Sequence, residues 1–144
     1  KAGKEISRYA VNTAGEPASL KLTAIQNPEG FHADGADMTL IQVEVVDKDG
    51  QRCPLDNRTI QFTLKGQAEW RGGIAQGKNN HILDTNLPVE CGINRALIRS
   101  TTAAGKVTLT AHSKCLSHIG NGACKSDRRF EYLSSAGHFE RQTG

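Results

Sequence analysis

Hydrophobic and polar residues alternate with a period of two along most of the chain. In the segment 18–25, for example, Leu20, Leu22 and Ala24 alternate with Ser19, Lys21 and Thr23. Because successive side chains of a strand point to opposite faces, this alternation predicts strands with one buried face. The pattern recurs in the segments 38–47, 59–65, 93–100 and 106–112, and more weakly in 81–87. The residues predicted to face inward there include Ile41, Val43, Val45, Ile60, Phe62, Leu64, Val107, Leu109 and Ala111.

No segment of helical length repeats every three to four residues, so the sequence predicts an all-β fold. Turn residues separate the strands, as in Asp47-Lys48-Asp49-Gly50, where glycine accepts a positive φ and aspartate bonds its own backbone. About seven short strands without intervening helices predict an immunoglobulin-like β-sandwich over residues 18–112. Residues 1–17 are predicted to be a lead-in or linker, and 113–144 an irregular tail with a short helical piece at 128–134.

Composition adds few functional constraints. The 144 residues fit one domain, and 37% hydrophobic with 23% charged residues fits a folded chain. The net charge of +3 is spread along the sequence, whereas a nucleic-acid site would need a basic stripe with interleaved aromatics. No apolar run reaches the roughly 18 residues of a membrane span. We therefore expect neither nucleic acid nor a membrane span among the partners.

Four cysteines lie at positions 53, 91, 115 and 124, and none forms a C-x-x-C motif. Zinc and redox sites favour that spacing, so we predict no metal and no cofactor. Cys115 and Cys124 enclose a glycine-rich segment and are a candidate disulfide in an exporting compartment. Cys53 and Cys91 could equally be buried free thiols, since cysteine packs as a small hydrophobe. The even number of cysteines permits a disulfide without requiring one.

Catalytic motifs are absent from the sequence. There is no G-x-S-x-G and no H-E-x-x-H, and the segment GGIAQGK at 72–78 is followed by Asn79 instead of the serine or threonine that completes a phosphate-binding loop. Most of the histidines fall in predicted loops or the tail. Glu69 and Glu90 are the acids of the irregular middle segment, but nothing places them across a cleft as a glycosidase pair would require. We predict surface or structural roles for both glutamates and no catalytic residue.

The segment WRGGIAQG, residues 70–77, contains the only tryptophan. Trp70 could stack on a sugar ring while Arg71, Asn79 and Asn80 hydrogen-bond its hydroxyls, and these four residues form the candidate ligand-binding site. A single tryptophan in a small sandwich is more often a core or interface anchor, and packing is the favoured interpretation. The segment after the third strand is predicted to be an irregular glycine bend, over residues 69–77.

Four segments in order, ADGADMTLIQVEVVDKDGQ, FTLKGQAEWRGGIAQG, LPVECGINRALIRST and AGKVTLTA, resemble the immunoglobulin-like C-terminal domain of family-two glycoside hydrolases of the β-galactosidase type, particularly from Bacteroidetes. The likeness extends over roughly residues 14–111. It implies an accessory sandwich downstream of a sugar-binding jelly roll, immunoglobulin-like domains and a catalytic (β/α)8 barrel. The family's two catalytic glutamates lie in that barrel, and no position here matches their motifs.

The leading hypothesis is therefore a non-catalytic accessory domain of a periplasmic or secreted β-galactosidase-like enzyme. Its expected partners are the other domains of that enzyme, where it would support the barrel, shape its rim or mediate subunit contacts. Two alternatives stay open from the sequence. One is a carbohydrate-binding module that uses the Trp70 segment, and the other is an immunoglobulin-like repeat of a bacterial surface adhesin.

Overall fold

Strands form all the regular secondary structure in the part of the chain that the structure describes. The computed structural model describes residues 10, 12–74, 78–113 and 127–134. Eight strands lie within these ranges: β1 (Ser19–Ile25), β2 (Met38–Val46), β3 (Thr59–Gly66), β4 (Ala68–Gly73), β5 (Asn86–Pro88), β6 (Ile93–Ser100), β7 (Gly105–Ser113) and β8 (Asp127–Ser134).

The strands form two four-stranded sheets. Sheet A has the order β1-β2-β6-β4 and sheet B the order β5-β3-β7-β8. Neighbouring strands are antiparallel in both sheets. The predicted all-β, immunoglobulin-like sandwich is confirmed, and the chain passes between the sheets at β2–β3, β3–β4, β4–β5, β5–β6 and β6–β7.

The core lies between the two sheets and follows the predicted alternation. Along β2, Ile41, Val43 and Val45 are at most 1% exposed, while the residues between them are half-buried. Leu22, Ala24 and Leu64 are partly buried and pack against the same cluster, as predicted. The buried cluster consists of Leu20, Phe31, Ile41, Val43, Val45, Cys53, Ile60, Phe62, Leu87, Val89, Ala96, Ile98, Val107, Leu109 and Ala111.

The turn after β2 forms as its sequence predicts. Gly50 has a φ of 79°, and the Asp47 carboxylate accepts the backbone N–H groups of Asp49 and Gln51 at 2.9 and 2.8 Å. Its second oxygen accepts the N–H of Gly15 at 2.7 Å, which fastens the segment before β1 to this turn. These bonds hold the pKa of Asp47 below its usual range, chiefly through the Gly15 N–H.

The prediction of an irregular segment at 69–77 is wrong for its first half. Residues 68–73 form β4, an edge strand that pairs with β6. A β-bulge between Trp70 and Gly72 shifts the register, so the alternation is interrupted where the sequence reads as a bend. The weak strand predicted at 81–87 is shorter and later than expected, because β5 comprises only Asn86–Pro88.

The helical piece predicted at 128–134 is also wrong. Residues 127–134 form β8, whose partners run from Gly105↔Ser134 to His112↔Asp127 along β7. The open edge of β7 offers unpaired N–H and C=O groups, and an extended segment satisfies them as a helix cannot. β8 thus lies inside the segment for which an irregular tail was predicted. The candidate disulfide of Cys115 and Cys124 falls outside the described residues.

Candidate functional site

Trp70 projects from β4 into the space between the sheets. Its register partner on β6 is Ile98, which is 2% exposed, and its ring stacks on Phe62 of sheet B at a centroid distance of 5.4 Å and an interplanar angle of 29°. The indole Nε1 donates to the backbone oxygen of Asp84 at 2.9 Å. The favoured interpretation, a packed tryptophan, accounts for one ring face and for the polar atom of the side chain.

The turn that receives this hydrogen bond comprises residues 80–84 and lies directly against β4. Gly72 forms an isolated bridge with Ile82, and the N–H of Gly73 donates to the oxygen of His81 at 3.1 Å. The N–H of Leu83 donates to the oxygen of Arg71 at 3.3 Å. The 80–84 turn therefore covers the outer edge of β4 and connects the edge of sheet A to β5 at the edge of sheet B.

Gly72 permits this close approach. Its φ is 98°, and a Cβ added there would lie 2.1 Å from the oxygen of His81. Leu83 on the other side of the contact has a φ of 60°, which is unusual for a side chain branched at Cγ. The glycines after Trp70 thus have a structural explanation in the backbone contact between β4 and the turn.

The remaining candidate ligand-binding residues lie at the surface. Arg71 occupies the bulge and is exposed, with its Nη1 3.9 Å from the Glu69 carboxylate. Asn79 and Asn80 are exposed, and the Asn80 side-chain oxygen accepts the N–H of Ile82 at 3.0 Å. The sequence predicted Trp70 and Arg71 in one site, but the ring of Trp70 points inward and Arg71 lies at the surface. Sugar binding by these four residues stays a prediction.

The turn contains a polar pair that the sequence analysis missed. His81 is 7% exposed, and its Nδ1 lies 3.3 Å from the carboxylate of Asp84. The N–H of Asn86 and then His81 hold the pKa of Asp84 below its usual range. The sequence signal for the turn at Asp84 is Asp-Thr-Asn at 84–86, because an aspartate whose carboxylate accepts the N–H two residues later forms an Asx turn.

Neither glutamate considered for catalysis has a catalytic setting among the described residues. The Glu69 carboxylate accepts from Nη2 of Arg99 at 2.6 Å, an exposed ion pair, and Glu90 is exposed in the turn before β6. The same residues contain no cluster of three or more histidine, cysteine or acidic side chains suited to a metal ion. No helix found there has the length and apolar content needed to cross a membrane.

A shallow cleft of about 500 Å³ lies elsewhere, between residues 13–17 and 53–56. Cys53 at its floor is 5% exposed, and its thiol lies 3.6 Å from the oxygen of Gly15. Burial raises the pKa of this thiol, so it is a poor nucleophile. Both described cysteines are free, but Cys91 is exposed, contrary to the expectation of a buried thiol. The cleft contains no group of residues suited to catalysis.

Comparison with known families adds an identification to this geometry. The family model described as Glycoside hydrolase family 2 C-terminal domain 5 matches residues 20–118. The chain belongs to this family. The match runs from the second residue of β1 through β7, and it includes both the Trp70 stack and the 80–84 turn.

Similar proteins are much longer than this chain. A beta-glucuronidase of Formosa agariphila is 52% identical over 99 residues, which are 69% of this chain and 10% of that protein. A beta-galactosidase of Bacteroides ovatus is 30% identical over 117 residues, 79% of this chain and 13% of that protein. The structure of a beta-glucuronidase from glycoside hydrolase family 2 superposes with a TM-score of 0.74 at 43% identity, covering 88% of this chain and 12% of that chain. The chain therefore spans only a small part of the relatives it matches.

Proposed function

We propose that this chain is a non-catalytic accessory domain at the C-terminal end of a longer family-two glycoside hydrolase. The main observation behind this proposal is the length of the relatives: most of the chain matches enzymes of which it spans only 10–15%. The local chemistry supports the same role, because Glu69 is paired with Arg99 and the cleft contains no catalytic group. The domain stabilises and positions the catalytic part of the enzyme.

The parent enzyme of this proposal hydrolyses a terminal β-glycoside. The relative that is 52% identical is named a beta-glucuronidase, whereas two relatives at 29% and 30% are named beta-galactosidases. Glucuronides and galactosides are therefore the two substrates to compare. The proposal also places the parent enzyme in the periplasm or outside the cell, which fractionation of the source cells would test.

The experiment compares the intact parent enzyme, the parent without residues 10–144, and the 144-residue chain alone. Nitrophenyl β-glucuronide and β-galactoside serve as substrates, and thermal unfolding is measured in parallel. We expect hydrolysis only from the two forms that contain the catalytic part, with a lower melting temperature for the truncated form. Hydrolysis by the 144-residue chain, or a truncated form as stable as the intact one, would contradict the proposal.

A second candidate function is carbohydrate binding beside Trp70. It is supported by the exposure of Arg71, Asn79 and Asn80 on β4 and the adjoining turn, and by a tryptophan on β4 whose ring is only partly buried. Since Trp70 is the sole tryptophan, a fluorescence titration with glucuronides and galactosides reports on this position alone. Saturable change that Arg71→Ala abolishes would support binding, and no change at millimolar sugar would exclude it.

A further inference from the structure

An apolar row crosses the outer face of sheet A, on the side away from the core. Ile25 pairs with Leu40, Leu40 pairs with Leu97, and Leu97 pairs with Gly72, which is bridged to Ile82. Directly paired residues of antiparallel strands lie on the same face. The row, named here the outer row, therefore runs from β1 to the 80–84 turn.

The outer row is separate from the core. Ile25 is 43% and Ile82 69% exposed, while Leu40 and Leu97 are half-buried and do not belong to the core cluster. Met38, two residues before Leu40 on the same face of β2, is 46% exposed. These aliphatic side chains lie outside the core cluster, and their contiguous arrangement marks a candidate contact surface.

Sheet B provides the comparison. The corresponding outward positions of its central strands pair Gln61 with His112, Thr63 with Thr110, and Lys65 with Thr108. These positions are all polar, and Gln61, Thr63 and Lys65 on β3 are exposed, as expected for a face in contact with water, whereas Thr108 on β7 is only 8% exposed. The central strands of the two sheets therefore differ at their outward positions: β2 and β6 pair Leu40 with Leu97, whereas the outward pairs of β3 and β7 are polar.

Polar pairs border the outer row on both sides. Toward one end of the strands, the Nε of Arg95 donates to the Gln42 side chain at 3.2 Å. Toward the other end, Nη2 of Arg99 donates to Glu69 at 2.6 Å. An apolar centre with a polar border is the usual arrangement of a protein–protein interface, and these border side chains already hydrogen-bond to one another within the sheet.

The size of the face indicates the occupant. Five paired positions at about 4.8 Å spacing, with a polar row on each side, give roughly 400 Å². A stable interface between free proteins needs about 600 Å² or more on each partner. A partner on the same polypeptide needs less, because a tether supplies an effective concentration in the millimolar range. The face is thus too small for a stable dimer and sufficient for a tethered domain.

We propose that the outer row docks against the preceding part of the same polypeptide, through an apolar patch on that part. This inference rests on the proposed function, since it requires that the chain is part of a longer enzyme, as the matching segments of its relatives are. β1 is both the first strand and the edge of sheet A, so a preceding polypeptide enters the sandwich beside this face. The spacing of the row from that entry, about 20 Å along β1, is within the width of one domain.

Met38 allows a direct test because it is the only methionine of the chain. Dilute hydrogen peroxide converts an accessible methionine to the sulfoxide, and peptide mass spectrometry follows the rate. We expect Met38 to oxidise at least about tenfold more slowly in the intact parent enzyme than in the 144-residue chain, which corresponds to about 90% docking. A Thr63→Met variant places a control methionine on the outer face of sheet B, and its rate should be the same in both.

Leu97→Glu at the centre of the outer row should restore rapid Met38 oxidation in the parent enzyme, as should the more exposed Ile25→Glu. Thr63→Glu on sheet B is the matched control and should leave Met38 protected. Equal oxidation rates of Met38 in the parent enzyme and the isolated chain would overturn the proposal that the outer row is a docking face. The proposed function would still be supported by the truncation experiment. Concentration-dependent protection of Met38 in the isolated chain would instead identify a second copy as the occupant and also overturn it.

Discussion

Replacing Gly72 by alanine tests whether the contact between β4 and the 80–84 turn holds the Trp70 region together. The added Cβ would lie 2.1 Å from the oxygen of His81 and 2.5 Å from the nitrogen of Leu83, both backbone atoms. Ordinary contacts of a Cβ are 3.4 Å or longer, so the turn must move by more than 1 Å. That movement breaks the bonds that Gly73 and Leu83 make across the contact.

The magnitude follows from two contributions. A non-glycine residue at positive φ costs about 1–2 kcal/mol. The displaced turn loses two backbone hydrogen bonds and the bond from Trp70 to Asp84, each contributing about 1 kcal/mol. We expect Gly72→Ala to lower the free energy of unfolding by about 4–5 kcal/mol, a large part of the 5–15 kcal/mol typical of a domain.

Gly50→Ala is the matched control, because Gly50 also has a positive φ, 79°, but nothing lies within 4 Å of an added Cβ. Only the backbone contribution of about 1–2 kcal/mol applies to it. Urea unfolding followed by circular dichroism should separate the two variants by about 3 kcal/mol, the contribution of the three lost hydrogen bonds, with equal slopes. The Trp70 emission should shift to longer wavelength in native Gly72→Ala alone. Equal destabilisation of the two variants would refute the close contact as the reason for this glycine.

Three further outcomes are expected. Trp70→Phe keeps the stack but loses the indole hydrogen bond, and should cost about 1–2 kcal/mol by circular dichroism in urea. The pKa of Asp47 is lowered in the fold, so its contribution to the free energy of unfolding is present above the ordinary carboxyl pKa and is lost as pH falls through the lower folded value. The neutral side chain of Asp47→Asn accepts the Gly15 N–H less strongly and does not titrate, so this variant should flatten the acid side of the stability–pH curve. In native protein, a thiol reagent should modify Cys91 rapidly and Cys53 only after unfolding, as peptide mass spectrometry would show.

Much of the fold could be predicted because alternation is a local property of the sequence. In β2, the buried Ile41, Val43 and Val45 occupy every second position, and the Asp47 turn follows from its own residue types. β4 and β8 could not be predicted in this way. The bulge after Trp70 interrupts the period, and β8 forms because β7 offers an open edge that is distant in sequence.

The candidate site could be predicted only in part from the sequence, for a related reason. The sequence placed Trp70, Arg71, Asn79 and Asn80 together because they are close along the chain, whereas the strand directs Trp70 inward and leaves Arg71 at the surface. The outer row was not predicted, because period-two alternation identifies one apolar face of a strand and does not account for apolar residues on the other. Leu40 is out of phase with the buried residues of β2, and that irregularity was its signal.

The 80–84 turn contacts both faces of sheet A, the inner face through Trp70 and the outer face through the outer row. Its Asp84 carbonyl holds the indole of Trp70 on the inner side, while Ile82 extends the outer row on the other. Asn80, a candidate sugar ligand, lies two residues from Ile82 and bonds its N–H. A domain docked over Ile82 would therefore crowd any sugar bound at Asn80. We accordingly expect a carbohydrate site at this position to be open in the isolated chain and closed in the intact enzyme, so sugar titrations of both forms distinguish a binding module from a docked support.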